Sequence, residues 1–125
     1  MAKSAILYWV CLLQGFYFFA TGIWPLLHME SFVAISGPKF DLWLVRTVGL
    51  LLSIIGLVLL SAAYNRRISL EIFLLAVGSA LSMAAIDIYY AGIDRIWNVY
   101  LLDALAEGSL VALWLAGWFK QEQER

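Results

Sequence analysis

Four ionisable side chains interrupt apolar stretches of this sequence, and their chemistry is the first feature to explain. They are Arg46, Asp87, Asp103 and Glu107. Asp103 and Glu107 are spaced i, i+4, so on a helix they lie on the same face. Ionisable side chains inside an apolar helix typically mark a ligand pocket, a proton path or an ion pair between helices. These four residues therefore form the candidate polar cluster.

The charges of this cluster do not balance. One arginine accompanies three carboxyl groups, and hydrocarbon does not tolerate an excess of buried negative charge. We therefore expect that one acid is protonated or that an external cation is recruited. Arg46 is expected to pair with Asp103 or Asp87, because it is the only cation at their depth. Glu107, the deepest acid, is the candidate for the neutral form.

Two uncharged residues, Gln14 and Tyr17, add hydrogen-bonding groups at a similar depth. Two interpretations of the whole set stay open: an outward-facing polar pocket with Glu107 as its floor, or a clamp in which Arg46 ties neighbouring helices together. The sequence contains no nucleophile–base pair, phosphate-binding loop or metal-ligand spacing. We therefore predict no catalytic residue, no metal and no cofactor, and enzymatic activity is the less favoured interpretation.

The composition indicates a membrane protein. Of the 125 residues, 64% are apolar and 14% are charged, and the mean hydropathy is +0.88. A soluble domain of this size cannot bury so many apolar side chains, because small domains have much surface relative to their volume. The net charge of −1 provides no basic field for nucleic acid. Typical soluble enzymes, disordered chains and nucleic-acid binders are therefore excluded.

Four apolar stretches are long enough to cross the hydrocarbon layer as helices: residues 5–27, 42–64, 69–90 and 99–119. Their apolar runs are continuous and do not alternate with polar residues, which argues against the strands of a β-barrel. The sequence therefore predicts an all-α integral membrane protein, a single domain over residues 1–125 that forms an antiparallel bundle of four transmembrane helices.

Helix geometry places the four ionisable residues in one half of the membrane. With a rise of 1.5 Å per residue, Arg46, Asp87 and Asp103 lie about 5–6 Å inside the hydrocarbon, and Glu107 lies about 12 Å inside. All four depths are measured from the side opposite the chain ends. Because all four residues are expected in the same half of the membrane, we expect them to form a single cluster.

Small residues predict which helix faces meet, because membrane helices approach closely where side chains are small. The first span offers Gly15 and Gly22. Two further faces are expected to point into the bundle: one on the second span with Arg46, Gly49, Ser53 and Gly56 at helical spacing, and one on the third span with Gly78, Ser79, Ser82 and Ala85.

The flanking basic residues predict the orientation, since lysine and arginine favour the cytoplasmic side. One side holds both chain ends and the loop between the second and third spans, with Lys3, Arg66, Arg67, Lys120 and Arg125; the other holds Lys39 and Arg95. Both termini are therefore expected in the cytoplasm, with the chain in the bacterial inner membrane. The middle of the 28–41 connection is expected to form a short amphipathic turn, either a structural cap or a binding lid.

Two segments carry a family resemblance. Residues 37–49 and 87–107, which contain Arg46, Asp87, Asp103 and Glu107, resemble a group of small bacterial four-span proteins to which no activity is assigned. More distantly, four spans with intramembrane acids are similar to DoxX-like and EXPERA-type membrane proteins. Some EXPERA-type proteins bind or isomerise sterols in a pocket lined by carboxylates. The resemblance implies a lipid-like ligand and transfers no catalytic residue.

Three functions follow as hypotheses. The first is binding of a lipid or another small amphipathic molecule in the outward-facing pocket, where Arg46 meets a polar head group. The second is a structural subunit whose polar network holds the bundle or a partner membrane protein. The third is a small transporter subunit that uses Glu107 as a proton carrier and forms homo-oligomers. The lipid bilayer is the partner common to all three.

Overall fold

The computed structural model describes residues 5–123, which form five helices. They are α1 (Ala5–Leu27), α2 (Met29–Ser36), α3 (Leu42–Tyr64), α4 (Leu70–Gly92) and α5 (Val99–Gln123). All except α2 are long and apolar enough to cross a membrane. The chain is therefore a multi-pass all-α membrane protein, which confirms the predicted four-span bundle. Lys3 and Arg125, on which the orientation partly depends, lie outside the described residues.

The four long helices do not pack in chain order. α1 packs along α3 and also contacts α5, and α5 packs along α4. By contrast, α3 has little contact with α4, although only a short connection separates them. Central positions therefore belong to α1 and α5, and α3 and α4 lie at the periphery.

Glycines allow the backbones of α1 and α3 to approach closely. A Cβ atom on Gly22 would lie 2.6 Å from the carbonyl oxygen of Gly49, and one on Gly56 would lie 2.7 Å from the carbonyl oxygen of Gly15. No side chain fits at such distances, so these positions require glycine. This contact agrees with the small-residue face predicted for the second span, where Gly49, Ser53 and Gly56 are buried.

The small-residue face predicted for α4 is wrong. Gly78, Ser82 and Ala85 are exposed, Ser79 is half-buried, and a Cβ atom on Gly78 would meet no described atom within 4 Å. The inward face of α4 instead presents Ala76, Ala80, Asp87 and Ala91. Both sets have helical spacing, and the methyl groups of alanine already permit the contact with α5.

The two halves of the bundle are packed differently. We call the half that contains the start of α1 and the end of α5 the terminal half, and the other the α2 half. The terminal half contains the packed apolar core, in which the buried members are Leu7, Val10, Cys11, Leu59, Ala62, Ile68, Ala76, Leu110 and Trp114. The α2 half contains a cavity, described below.

The short helix α2 is fixed over the α2 half by specific contacts. His28 caps its N-terminus, because the Nδ1 atom accepts a hydrogen bond of 3.2 Å from the backbone N–H of Ser31. Trp24 of α1 donates its indole N–H to the Ser31 hydroxyl at 2.8 Å. After α2, Gly37 has a φ of 103° and lies against the ring of Trp97. The amphipathic turn expected in this connection is thus an ordered helix.

We predict that Gly22→Ala destabilises the bundle by about 1–3 kcal/mol, because the new methyl group overlaps the backbone of α3. Gly78→Ala is the matched control. It should leave stability unchanged or raise it by up to about 1 kcal/mol, because alanine favours helix and this position is open. Unfolding in mixed detergent micelles measures both variants, and equal losses would contradict the close contact between α1 and α3.

Candidate functional site

The structure brings three carboxyl groups and one phenol together in the α2 half. Tyr17 on α1 donates its hydroxyl hydrogen to Oδ1 of Asp103 on α5. The Asp87 carboxyl on α4 lies within hydrogen-bonding range of Asp103. Glu107, one turn further along α5, is close enough to both Asp103 and Tyr17 to interact electrostatically. Helices α1, α4 and α5 thus converge at this point. We call the three carboxyl groups, those of Asp87, Asp103 and Glu107, the acid cluster.

Two members of the acid cluster are almost fully buried, and each has a carboxyl oxygen without a hydrogen-bond donor in the described part of the chain. Asp87 is 2% exposed and Glu107 is 1% exposed. Among residues 5–123, the Oδ2 atom of Asp87 and the Oε1 atom of Glu107 have no hydrogen-bond partner. Buried carboxyl oxygens without a donor are unusual and expensive in free energy. Two carboxyl groups in hydrogen-bonding range, such as Asp87 and Asp103, can bond only when one carries a proton.

Arg46 does not join the acid cluster, and the predicted ion pair is therefore wrong. Its side chain is exposed, and among residues 5–123 it forms no ion pair with Asp87 or Asp103. The reason lies in the packing order: Arg46 belongs to α3, which packs on α1, whereas the acids are on α4 and α5. Because Arg46 lies near the end of its helix, its long side chain can extend toward the membrane interface.

Gln14 lies in a separate polar contact that is fully made. Its Nε2 atom donates to the carbonyl oxygen of Ala76 at 2.9 Å, and its Oε1 atom accepts the indole N–H of Trp114 at 2.7 Å. Gln14 and Trp114 are both completely buried. This side chain links α1 to α4 and α5, and its satisfied groups indicate a structural role. The depth of Trp114 in its span was the available signal, since a buried indole N–H needs an acceptor.

A cavity of about 560 Å³ lies in front of the acid cluster. Its lining residues come chiefly from α1, α2, α3 and α5: Tyr17, Phe18, Thr21, Trp24, Pro25, Phe32, Ile35, Ser36, Lys39, Leu44, Val45, Val48, Gly49, Leu52, Met83, Val99, Tyr100, Leu102, Asp103 and Glu107. The walls are mostly apolar. The deep end carries Tyr17, Asp103 and Glu107, so the polar groups are concentrated there and beneath α2.

Lys39 is a cation that lines this cavity, although nothing in its sequence context predicts that it belongs to the site. Its ammonium group lies 3.2 Å from the carbonyl oxygen and 3.1 Å from the hydroxyl of Ser36, and 2.9 Å from the carbonyl oxygen of Gly37. The same group lies 5.2 Å from the ring centroid of Tyr100 and 5.7 Å from that of Phe32. An ammonium has three hydrogens to donate, and three acceptors lie within reach at the C-terminal end of α2, in Ser36 and Gly37.

The chemistry available at the deep end is proton exchange and hydrogen bonding. Within residues 5–123 no group of three or more His, Cys, Asp and Glu side chains is arranged to hold a metal ion. The carboxyl groups and the phenol can accept or donate hydrogen bonds to a molecule in the cavity. A comparison of the chain with family models, curated proteins and solved structures found no match.

We predict that Tyr17→Phe destabilises the protein by about 1 kcal/mol, because Asp103 loses its donor while the ring is kept. The matched control is Tyr64→Phe, whose side chain is 88% exposed and whose replacement should have no effect. Unfolding of both variants in the same detergent measures the difference. A loss for Tyr64→Phe equal to that for Tyr17→Phe would contradict a specific role of the buried hydrogen bond.

Proposed function

We propose that this chain is a membrane protein that binds a small amphipathic, lipid-like molecule in the cavity of the α2 half. The observation that carries the proposal is the combination of mostly apolar walls with a polar deep end. Ligand cavities are typically about 300–1,000 Å³ and apolar, with a few polar groups that fix orientation. A volume of about 560 Å³ fits this range.

The position of the cavity supports access from the lipid. Three of its lining residues, Leu44, Val48 and Leu102, are 44–67% exposed on the apolar surface of the bundle. They belong to α3 and α5, which form no extensive contact with each other. A molecule dissolved in the bilayer therefore reaches the cavity between these helices without crossing water. Its apolar part remains against α3, and its polar part turns toward Tyr17 and the acid cluster.

The other two hypotheses have less support. A clamp based on Arg46 lacks its ion pair among the described residues. A proton path across the bundle would have to pass the terminal half, where the packed core and the buried Trp114 lie beyond Glu107. A binding cavity requires neither feature.

Native mass spectrometry of the protein released from its membrane tests the proposal. We expect a bound small molecule on the unaltered chain. Val48→Trp places a bulky ring in the cavity and should lower the bound fraction at least about tenfold, equivalent to about 1.4 kcal/mol. Leu51→Trp, on an exposed position of the same helix outside the cavity lining, should leave the bound fraction unchanged. No bound molecule, or equal loss in both variants, would contradict the proposal.

The orientation is also a proposal: the terminal half faces the cytoplasm of a bacterial inner membrane, and the cavity lies in the outer half. Its support is the concentration of basic residues on the side of the chain ends. A reporter that is active only in the periplasm should stay silent when fused after Arg125 and should be active when fused after Asn98. The opposite pattern would reverse the orientation.

A further inference from the structure

We infer that the molecule in the cavity is an organic cation, an amphiphile whose protonated amine binds the acid cluster through Glu107 and Asp103. This inference rests on the proposed function and names the chemical class of its ligand. It starts from Glu107, a residue of the cavity lining whose side chain is 1% exposed and whose Oε1 atom has no hydrogen-bond partner among the described residues.

The acid cluster lacks a positive partner within the described chain. Asp87, Asp103 and Glu107 form no ion pair with any residue of 5–123. Arg46 is exposed on another helix, and the three hydrogens of Lys39 have acceptors in Ser36 and Gly37. If Asp87 and Asp103 share one proton, the three carboxyl groups together still carry two negative charges. Only two further protons would neutralise the cluster. A cationic ligand supplies positive charge that the described chain does not, and it offsets one unit of this excess.

The cavity distinguishes an organic cation from a metal ion. The cluster is not arranged as a metal site, and the walls beside it are apolar side chains such as Val48, Leu52 and Met83. Such walls provide no oxygen ligands to replace the water shell of a small inorganic cation. They do provide a favourable surface for a hydrocarbon chain or ring system.

An amine also fits better than an alcohol or a phospholipid head group. A protonated amine donates up to three hydrogen bonds and carries the opposite charge, whereas a hydroxyl donates one and carries none. Asp103 and Glu107 lie about 6 Å and 12 Å inside the span that begins at Val99. The amine of a phospholipid lies in the head-group layer with its phosphate, above this depth. The ligand is therefore an amphiphile whose amine is attached directly to its apolar body.

Binding of dodecylamine and of 1-dodecanol to the full chain in a neutral detergent tests the inference, with native mass spectrometry and thermal unfolding as readouts. The two probes share the same alkyl chain and differ in the charged head. We expect dodecylamine to bind at least about tenfold more tightly than dodecanol. Glu107→Gln keeps the shape of the side chain and should lower this preference, because one of the two carboxyl groups that bind the amine is lost. Glu71→Gln, an acid-to-amide change on an exposed residue outside the cavity lining, should preserve it.

The outcomes separate this inference from the proposed function. Equal binding of the two probes, or an amine preference that Glu107→Gln leaves unchanged, overturns the amine inference and leaves a binding cavity in place. Stabilisation by phosphatidylethanolamine but not by dodecylamine also overturns it, in favour of head-group recognition. Binding of neither probe, with no small molecule retained from the membrane, overturns both. If Glu107→Gln does not fold, Asp103→Asn replaces it, and the probe comparison on the unaltered chain still decides.

Discussion

The contact between the backbones of α1 and α3 is the constraint on which the other features depend. Helices in lipid gain no hydrophobic driving force from association, so van der Waals contact between closely approaching backbones must hold them together. Gly22 against Gly49 and Gly15 against Gly56 provide that contact. Because α3 packs along α1, it makes little contact with α5. The resulting gap forms the cavity and also separates Arg46 from the acids.

The polar groups of the interior divide into two kinds that differ in their energetics. Gln14 has both ends of its amide paired, to Trp114 and Ala76, so its burial stabilises the association of three helices. Asp87 and Glu107 each retain a buried oxygen that has no donor within the described part of the chain, which lowers stability. A chain selected only for a stable bundle would gain from apolar residues at these positions, since well-packed apolar side chains often replace buried ionic groups without loss. Their presence is therefore an argument for a function at the acid cluster.

Much of the fold was predictable because hydropathy and length determine which segments span a membrane. The bounds of α1 and α3 agree with the predicted spans, and α4 and α5 end somewhat later than predicted. Position along the helix axis was also predictable from the rise per residue, and it placed Tyr17, Asp103 and Glu107 in the same half of the bundle. Neighbour order was not predictable, because hydropathy contains no information on which helices touch. The predictions of an ion pair at Arg46 and of the inward face of α4 were wrong for this reason.

Lys39 illustrates the same limit in the connection between α2 and α3. In the sequence it is one of two basic residues on its side of the membrane, and nothing local distinguishes it from Arg95. Its place in the cavity depends on Gly37, whose positive φ turns the chain after α2, and on Tyr100 from α5, which lies beneath the ammonium. The surroundings of Lys39 come from two segments that are distant in the sequence. Its place in the site can therefore be recognised only once the positions of both segments in the fold are known.

The division of the bundle into a packed half and a hollow half is consistent with the physical requirements of a binding protein. The apolar core of the terminal half, centred on Leu7, Leu59 and Trp114, provides stability at a distance from the cavity. The α2 half can then retain unpaired carboxyl oxygens and a lateral gap, because regions that accommodate ligands are commonly the less stable parts of a fold. If one half had to provide both stability and a binding cavity, the dense packing needed for stability would fill the open volume needed for binding. The four spans avoid this conflict by separating the two tasks along the membrane normal.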